Sequence, residues 1–68
     1  MTNTKRKPVE VEIRERYEST PERPLWRCIV TTARGYCYYF DFTGDKPSEE
    51  YVRQVWQDDR RAFDPYHS

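Results

Sequence analysis

The sequence contains few of the residues on which catalytic and nucleotide-binding motifs depend. Its 68 residues include two glycines and one histidine. It has no phosphate-binding loop and no GxGxxG or GxSxG motif. The histidine, His67, is the penultimate residue, in a segment expected to be loose, whereas a general base must be held in position. We therefore predict that the protein is not an enzyme and binds no cofactor.

Cysteine is also scarce, with two residues in the chain. Cys28 and Cys37 lack CxxC spacing, and structural zinc needs four ligands in tetrahedral geometry, so no metal site is predicted. The strand register derived below places the two side chains on opposite faces of adjacent strands, where a good disulfide cannot form. Two free thiols fit a reducing compartment, so a cytoplasmic protein is expected.

Long apolar runs and a net charge are both missing. No run approaches the roughly 18 apolar residues of a membrane-spanning helix, so no membrane partner is expected. The formal net charge is zero, which argues mildly against non-specific nucleic-acid binding. The charge is nevertheless divided. Residues 1–34 carry eight Lys/Arg and five Asp/Glu, hence +3, and residues 35–68 carry four and seven, hence −3.

The segment from Trp26 to Phe42 is rich in β-branched and aromatic residues and predicts a β-hairpin. Gly35 marks the turn, because glycine adopts a positive φ without a steric penalty. A two-residue loop would divide the bulky side chains of the two strands between opposite faces. A three-residue loop, Ala33–Gly35, places them all on one face. We predict the three-residue loop, which pairs Thr32 with Tyr36.

The segment before the hairpin predicts a further strand. Val9, Val11 and Ile13 alternate with charged residues, a period of two that is typical of a strand with one buried face. The seven residues 18–24 contain two prolines and predict a loop.

The segment after the hairpin predicts a helix. Asp45 or Ser48 can cap its first turn. Apolar residues then recur at three- and four-residue spacing, which predicts one buried face. The helix is expected to end near Phe63, before Pro65.

Together these elements predict one small α+β domain over residues 1–68. It is a three-stranded antiparallel sheet, in the order β-β-β-α, with one C-terminal helix packed on one face. Residues 1–7 are expected to form a flexible basic tail and residues 64–68 a flexible C-terminal tail, although Tyr66 could pack against the edge of the sheet. A chain of this length buries only about 60% of its unfolded surface, so we expect partner binding, with a weak homodimer as a further option.

The sheet face that the helix leaves uncovered is the predicted contact surface. It mixes apolar, aromatic and arginine side chains, and protein interfaces are enriched in aromatic residues and arginine. Ile29 and Tyr39 are expected to lie there without cover. The predicted partner-binding residues are Arg14, Arg16, Arg27, Ile29, Thr31 and Tyr39.

We predict a small non-enzymatic module that docks on a larger protein. Its build is comparable to that of small phage or mobile-element inhibitors and modulators. The alternative is DNA binding. The pattern of Trp26, Gly35, an aromatic strand and then a helix is similar to AP2-type and integrase arm-binding domains, which lay a bare three-stranded sheet in the major groove. Glu10, Glu12 and Asp41 would meet phosphate unfavourably, so a protein partner is favoured over nucleic acid.

Overall fold

A computed structural model describes residues 9–66 of the chain. The described residues form an antiparallel sheet in the order β1-β2-β3-β4 with one α-helix after the third strand. The elements are β1 (Glu10–Glu15), β2 (Leu25–Thr31), β3 (Cys37–Thr43), α1 (Glu49–Asp58), a 3-10 turn (Arg60–Ala62) and β4 (Asp64–Pro65). The predicted α+β class, with a C-terminal helix on an antiparallel sheet, is confirmed. Within residues 9–66 no helix is long and apolar enough to cross a membrane.

The β2–β3 hairpin has the predicted three-residue loop. The Thr32 N–H donates to the Tyr36 carbonyl at 2.8 Å, and Gly35 has the expected positive φ of 93°. Val30 lies opposite Tyr38 and Cys28 lies opposite Phe40. The bulky side chains of both strands therefore share one face, because burial selects this register over the one-residue slip.

The core lies between this sheet face and the helix. Its buried members are Cys28, Val30, Val52, Trp56 and Phe63. Val9, Val11 and Ile13, at the first strand, pack against this core and remain half-buried. Their alternation with charged residues predicted this face. Aromatic rings meet edge to face within this layer, an arrangement that their quadrupoles favour.

The connection from β3 to α1 is fixed at both ends. The Trp26 indole Nε1–H donates to the Gly44 carbonyl at 2.9 Å, and Gly44 has a φ of 114° that favours glycine. Of the two predicted helix caps, Ser48 is the one used: its Oγ accepts the Tyr51 N–H at 3.0 Å. These contacts set where the helix begins.

The helix is shorter than the sequence predicted. It ends at Asp58 rather than near Phe63, because Asp59 leaves the helical region, with φ −151° and ψ 82°. The Asp59 carboxylate accepts the Arg61 N–H at 3.2 Å and opens the 3-10 turn. Aspartate competes for backbone donors in this way and is disfavoured at the negative end of a helix. Phe63 still reaches the core, but from the turn.

The expectation of a loose tail over residues 64–68 is wrong for its first three residues. Asp64 and Pro65 form β4, paired with Tyr39 and Tyr38 of β3. The Tyr66 N–H then donates to the Cys37 carbonyl at 2.9 Å. Proline is tolerated in this position because β4 is an edge strand, which leaves one side of its backbone unpaired. The predicted basic tail, residues 1–7, and residues 67–68 lie outside the described residues.

Candidate interaction surface

The sheet face opposite the helix, here called the open face, carries all six predicted contact residues. Side chains alternate between the two faces of a strand, so the register that buries Cys28 and Val30 sends their neighbours to the open face. Arg14 lies opposite Arg27, and Ile29 lies opposite Tyr39. The open face consists of Glu10, Glu12, Arg14, Arg16, Arg27, Ile29, Thr31, Cys37, Tyr39 and Asp41.

Asp41 holds two of the arginines together. Arg27 donates from Nε to Asp41 Oδ1 at 2.9 Å and from Nη2 to Oδ2 at 3.2 Å, a bidentate pair. Arg16 Nη1 contacts the same Oδ2 at 3.4 Å. Its Nε and Nη2 also donate to the two carboxylate oxygens of Glu18, at 3.1 and 2.9 Å. The two guanidinium groups therefore have fixed positions, since a bidentate pair restricts geometry as well as distance.

Arg27 also lies over an aromatic ring. Its guanidinium carbon is 4.2 Å from the centroid of Tyr39, within the range of a cation–π contact. The Tyr66 ring meets Tyr39 edge to face at 5.7 Å between centroids. Hydrogen bonding to Asp41 raises the pKa of Arg27, and the negative charge of Asp41 adds to that shift. One arginine, one carboxylate and two tyrosines thus form a single contact cluster.

The prediction that Ile29 lies uncovered is wrong. Its side chain is 5% exposed, although it faces away from the main core. The Tyr66 ring packs on Tyr39, the residue opposite Ile29 on β3. The Tyr66 hydroxyl also contributes to the raised pKa of Arg14 on β1. This position between β3 and β1 makes Tyr66 the best candidate for the cover over Ile29 in β2.

Arg14 and Glu12 form an ion pair on the β1 side of the open face. Arg14 Nε lies 2.6 Å from Glu12 Oε2, and both side chains are 56% exposed. The hydrogen bond to Glu12 raises the pKa of Arg14, with smaller contributions from the Tyr66 hydroxyl. An ion pair this exposed contributes little to stability. Its side chains remain available for a partner.

Thr31 lies opposite Cys37 at the other end of the open face. The threonine Oγ1 and the cysteine Sγ are 3.5 Å apart, and both residues are half-buried. Cys28 and Cys37 are both free thiols, with Cys28 buried and Cys37 reachable, as the register predicted. Among residues 9–66, no three His, Cys, Asp or Glu residues lie close enough together to hold a metal ion.

A groove adjoins one end of the open face, where the β1–β2 loop meets the end of β3. Its volume is about 550 Å³, and its walls are Glu18, Glu22, Arg23, Pro24, Leu25, Thr43 and Gly44. It is open to solvent, and its lining includes charges of both signs. Pockets for small molecules are instead concave and mostly apolar, with a few convergent polar groups. We therefore place the candidate site on the open face.

The prediction from sequence grouped the strand residues of the open face correctly but underestimated two further residues there. It described Asp41 as one charge of a mixed surface, whereas Asp41 organises Arg16 and Arg27. It left Tyr66 out of the contact residues, because the tyrosine lies in a segment predicted to be loose. The sequence allowed Tyr66 to pack against the sheet edge, but no pattern of side chains indicated the pairing of β4 that places it there.

No protein-family model, curated protein or solved structure matches this chain. The residues and contacts of the open face are therefore the basis for a proposal about function. They include exposed charged groups at the rim and an arginine–tyrosine cluster at the centre.

Proposed function

We propose that the protein is a small non-catalytic binding module that docks on a protein partner through the open face. The observation that supports this most is the central cluster, in which Arg27 is held by Asp41 and stacked on Tyr39. Tyrosine and arginine are the residue types that carry most of the binding energy at protein interfaces. This cluster presents them together.

The cluster is suited to binding because its geometry is already fixed. The Arg27 side chain is 24% exposed and the Asp41 side chain 38%, so both can be contacted from solvent. Association costs free energy when side chains lose rotamer freedom at the interface. Side chains that are bonded to each other before binding lose less. The exposed pair of Arg14 and Glu12 would form part of the polar rim.

DNA binding is the second candidate, and the three arginines on a bare sheet are its support. The contacts within the face weigh against it. Arg27 and Arg16 are bonded to Asp41, Arg16 also to Glu18, and Arg14 to Glu12. Binding of a phosphate backbone would have to break these pairs, while the carboxylates would remain near the phosphates. A protein partner with its own mixed charges has no such cost.

The wider role proposed here follows from the small size and the two-sided architecture. A single sheet with one covered and one open face is comparable to small inhibitors or modulators of the phage or mobile-element type. That comparison is an analogy at the level of fold. A cytoplasmic location fits the two free cysteines.

The test compares proteins retained from an extract of the native host by the tagged wild type and by variants. Tyr39→Ala removes the central ring and should abolish retention of the specific partner. Tyr36→Ala is the matched control, because Tyr36 is 61% exposed but lies in the hairpin outside the open face. If Tyr39→Ala and Tyr36→Ala retain the same proteins in the same amounts, the open face is not the docking surface.

A salt titration with a generic duplex separates the two candidates. Each phosphate contact releases counterions, so DNA binding weakens steeply as salt rises. We expect no tight duplex binding at low salt. Tight binding that falls by several decades at moderate salt would establish the DNA-binding alternative.

A further inference from the structure

The outer edge of β1 is unpaired among the described residues. β1 is the terminal strand in the sheet order. The Arg16 N–H donates to the Leu25 carbonyl at 3.0 Å, and in an antiparallel ladder alternate residues bond to the same neighbour. Even-numbered residues of β1 therefore bond to β2, and odd-numbered ones direct their N–H and C=O groups outward. The contact from Arg53 Nε to the outward Val9 carbonyl, at 3.2 Å, agrees with this.

We propose that two copies of this chain pair antiparallel through β1, about a twofold axis at Ile13. In this register Ile13 lies opposite Ile13 of the second copy, and Val11 lies opposite Glu15. These are the residues whose backbone groups point outward, so every outward N–H and C=O among them obtains a partner. Exposed strand edges accept strands of other chains in this way, and a twofold contact is self-complementary.

The same register brings opposite charges together on the open face. Residues 10, 12, 14 and 16 are Glu, Glu, Arg and Arg. Reversal about Ile13 places Glu12 opposite Arg14 of the second copy and Glu10 opposite Arg16. Opposite charges at facing positions stabilise antiparallel strands, and like charges destabilise them. The pattern of charge is therefore complementary to its own reverse.

Neighbouring registers do not have this property. A shift of two residues in one direction places Glu12 opposite Glu12 of the second copy. The same shift in the other direction places Arg14 opposite Arg14. A shift of one residue would turn the outward backbone groups away from each other. The charges and the backbone thus select one register. Glu12 and Arg14 are each 56% exposed and pair with each other within the chain. The dimer would exchange this pair for two equivalent pairs between the copies.

The apolar face of β1 also fits a second copy. Val11 and Ile13 pack on the core but stay half-buried, and no strand within residues 9–66 pairs with the outer side of β1. In the dimer the two Ile13 side chains lie next to each other beneath the sheet and cover this edge. The axis is perpendicular to the sheet, so both open faces point the same way. Two binding surfaces on one side would raise avidity for a repeated partner.

The test is sedimentation equilibrium of the full chain at concentrations up to about 1 mM, with charge-reversal variants. Glu12→Arg places arginine opposite Arg14, and Arg14→Glu places glutamate opposite Glu12. Each variant alone should raise the dimer dissociation constant at least about tenfold. An equimolar mixture of the two variants should dimerise again, because each arginine then faces a glutamate.

Two controls make the outcome independent of folding and of the proposed function. Glu50→Arg reverses the same charge on the exposed helix surface and should leave the dissociation constant unchanged. A synthetic chain with an N-methyl group on Ile13 loses only an outward N–H and should be monomeric. A wild type that is monomeric at about 1 mM, or a dimer that none of these changes weakens, would overturn the β1 pairing.

Discussion

Cys28 and Cys37 show how the register decides the chemistry of single residues. Cys28 points into the core and is fully buried, while Cys37 lies on the open face and is half-buried. Burial raises the pKa of the Cys28 thiol to about 11, and the negative charge of Asp41 adds to the shift. The thiolate is the reactive form, so two residues of the same type should differ strongly in reactivity.

We predict that a thiol reagent at about pH 8 labels Cys37 rapidly and labels Cys28 only after unfolding. Mass spectrometry of the native protein should show one added label within minutes. The Cys37→Ser variant should show none on that timescale. Two rapid labels on the native wild type would mean that Cys28 is not in the core and that the register is wrong.

Tyr66 has a larger role than its place near the chain end indicates. Its ring packs on Tyr39, and its hydroxyl makes a small contribution to the raised pKa of Arg14. Alternating β-branched and aromatic residues predict a strand and the face on which each side chain lies. Tyr66 instead follows a strand of only two residues, which is too short to show periodicity. Its position depends on the pairing of Asp64 and Pro65 with β3, which no local pattern of side chains indicates.

We predict that Tyr66→Ala lowers the free energy of unfolding by about 1–3 kcal/mol, because it removes an aromatic pair and uncovers Ile29. Tyr66→Phe keeps the ring and should cost less than about 1 kcal/mol. Urea unfolding followed by tryptophan fluorescence measures both. Equal stability of Tyr66→Ala and the wild type would contradict the cover over Ile29.

At the scale of elements, the hairpin was predictable because one register alone buries all the bulky side chains of both strands. The helix start was predictable because Ser48 is a cap residue before an acidic first turn. The helix end was not. Apolar spacing continues to Phe63, and Asp59 interrupts it through backbone contacts that spacing does not reveal. Periodicity locates a buried face more reliably than it locates an end.

The contact between helix and sheet depends mainly on Trp56. Its ring lies 5.1 Å from Tyr38 and 5.1 Å from Phe63, between ring centroids, and the Arg60 guanidinium lies over it at 4.7 Å. Trp56→Ala would leave a cavity at the centre of the only helix–sheet layer among residues 9–66. Large cavities in small cores have a high cost.

We predict that Trp56→Ala costs about 3–5 kcal/mol, enough to unfold most of the population of a domain this small. The adjacent exposed residue provides the control, since Gln57→Ala should change stability by no more than about 0.5 kcal/mol. Thermal unfolding followed by circular dichroism reports both. A cooperative transition for Trp56→Ala at the wild-type temperature would show that the helix does not hold the sheet.

At the scale of the molecule, the division of charge along the sequence has a structural counterpart. The basic N-terminal half contributes Arg16 and Arg27 to the open face, and the acidic half contributes Asp41, which binds both. Composition predicted a mixed face but not which charges meet. The pairing follows from strand register and from loop residues such as Glu18, whose own pKa is lowered mainly by its hydrogen bond to Arg16. This balance of charge within the open face favours a protein partner over nucleic acid.

The most direct measurement is photo-crosslinking from single positions in the native host. p-Benzoylphenylalanine replaces Thr31 on the open face, and in separate controls it replaces Tyr36 in the hairpin or Gln57 on the helix. We expect a discrete covalent adduct with a protein from position 31, and none or a much weaker one from positions 36 and 57. A protein adduct from the helix or hairpin position alone, or an adduct with nucleic acid from position 31, would contradict docking on a protein through the open face.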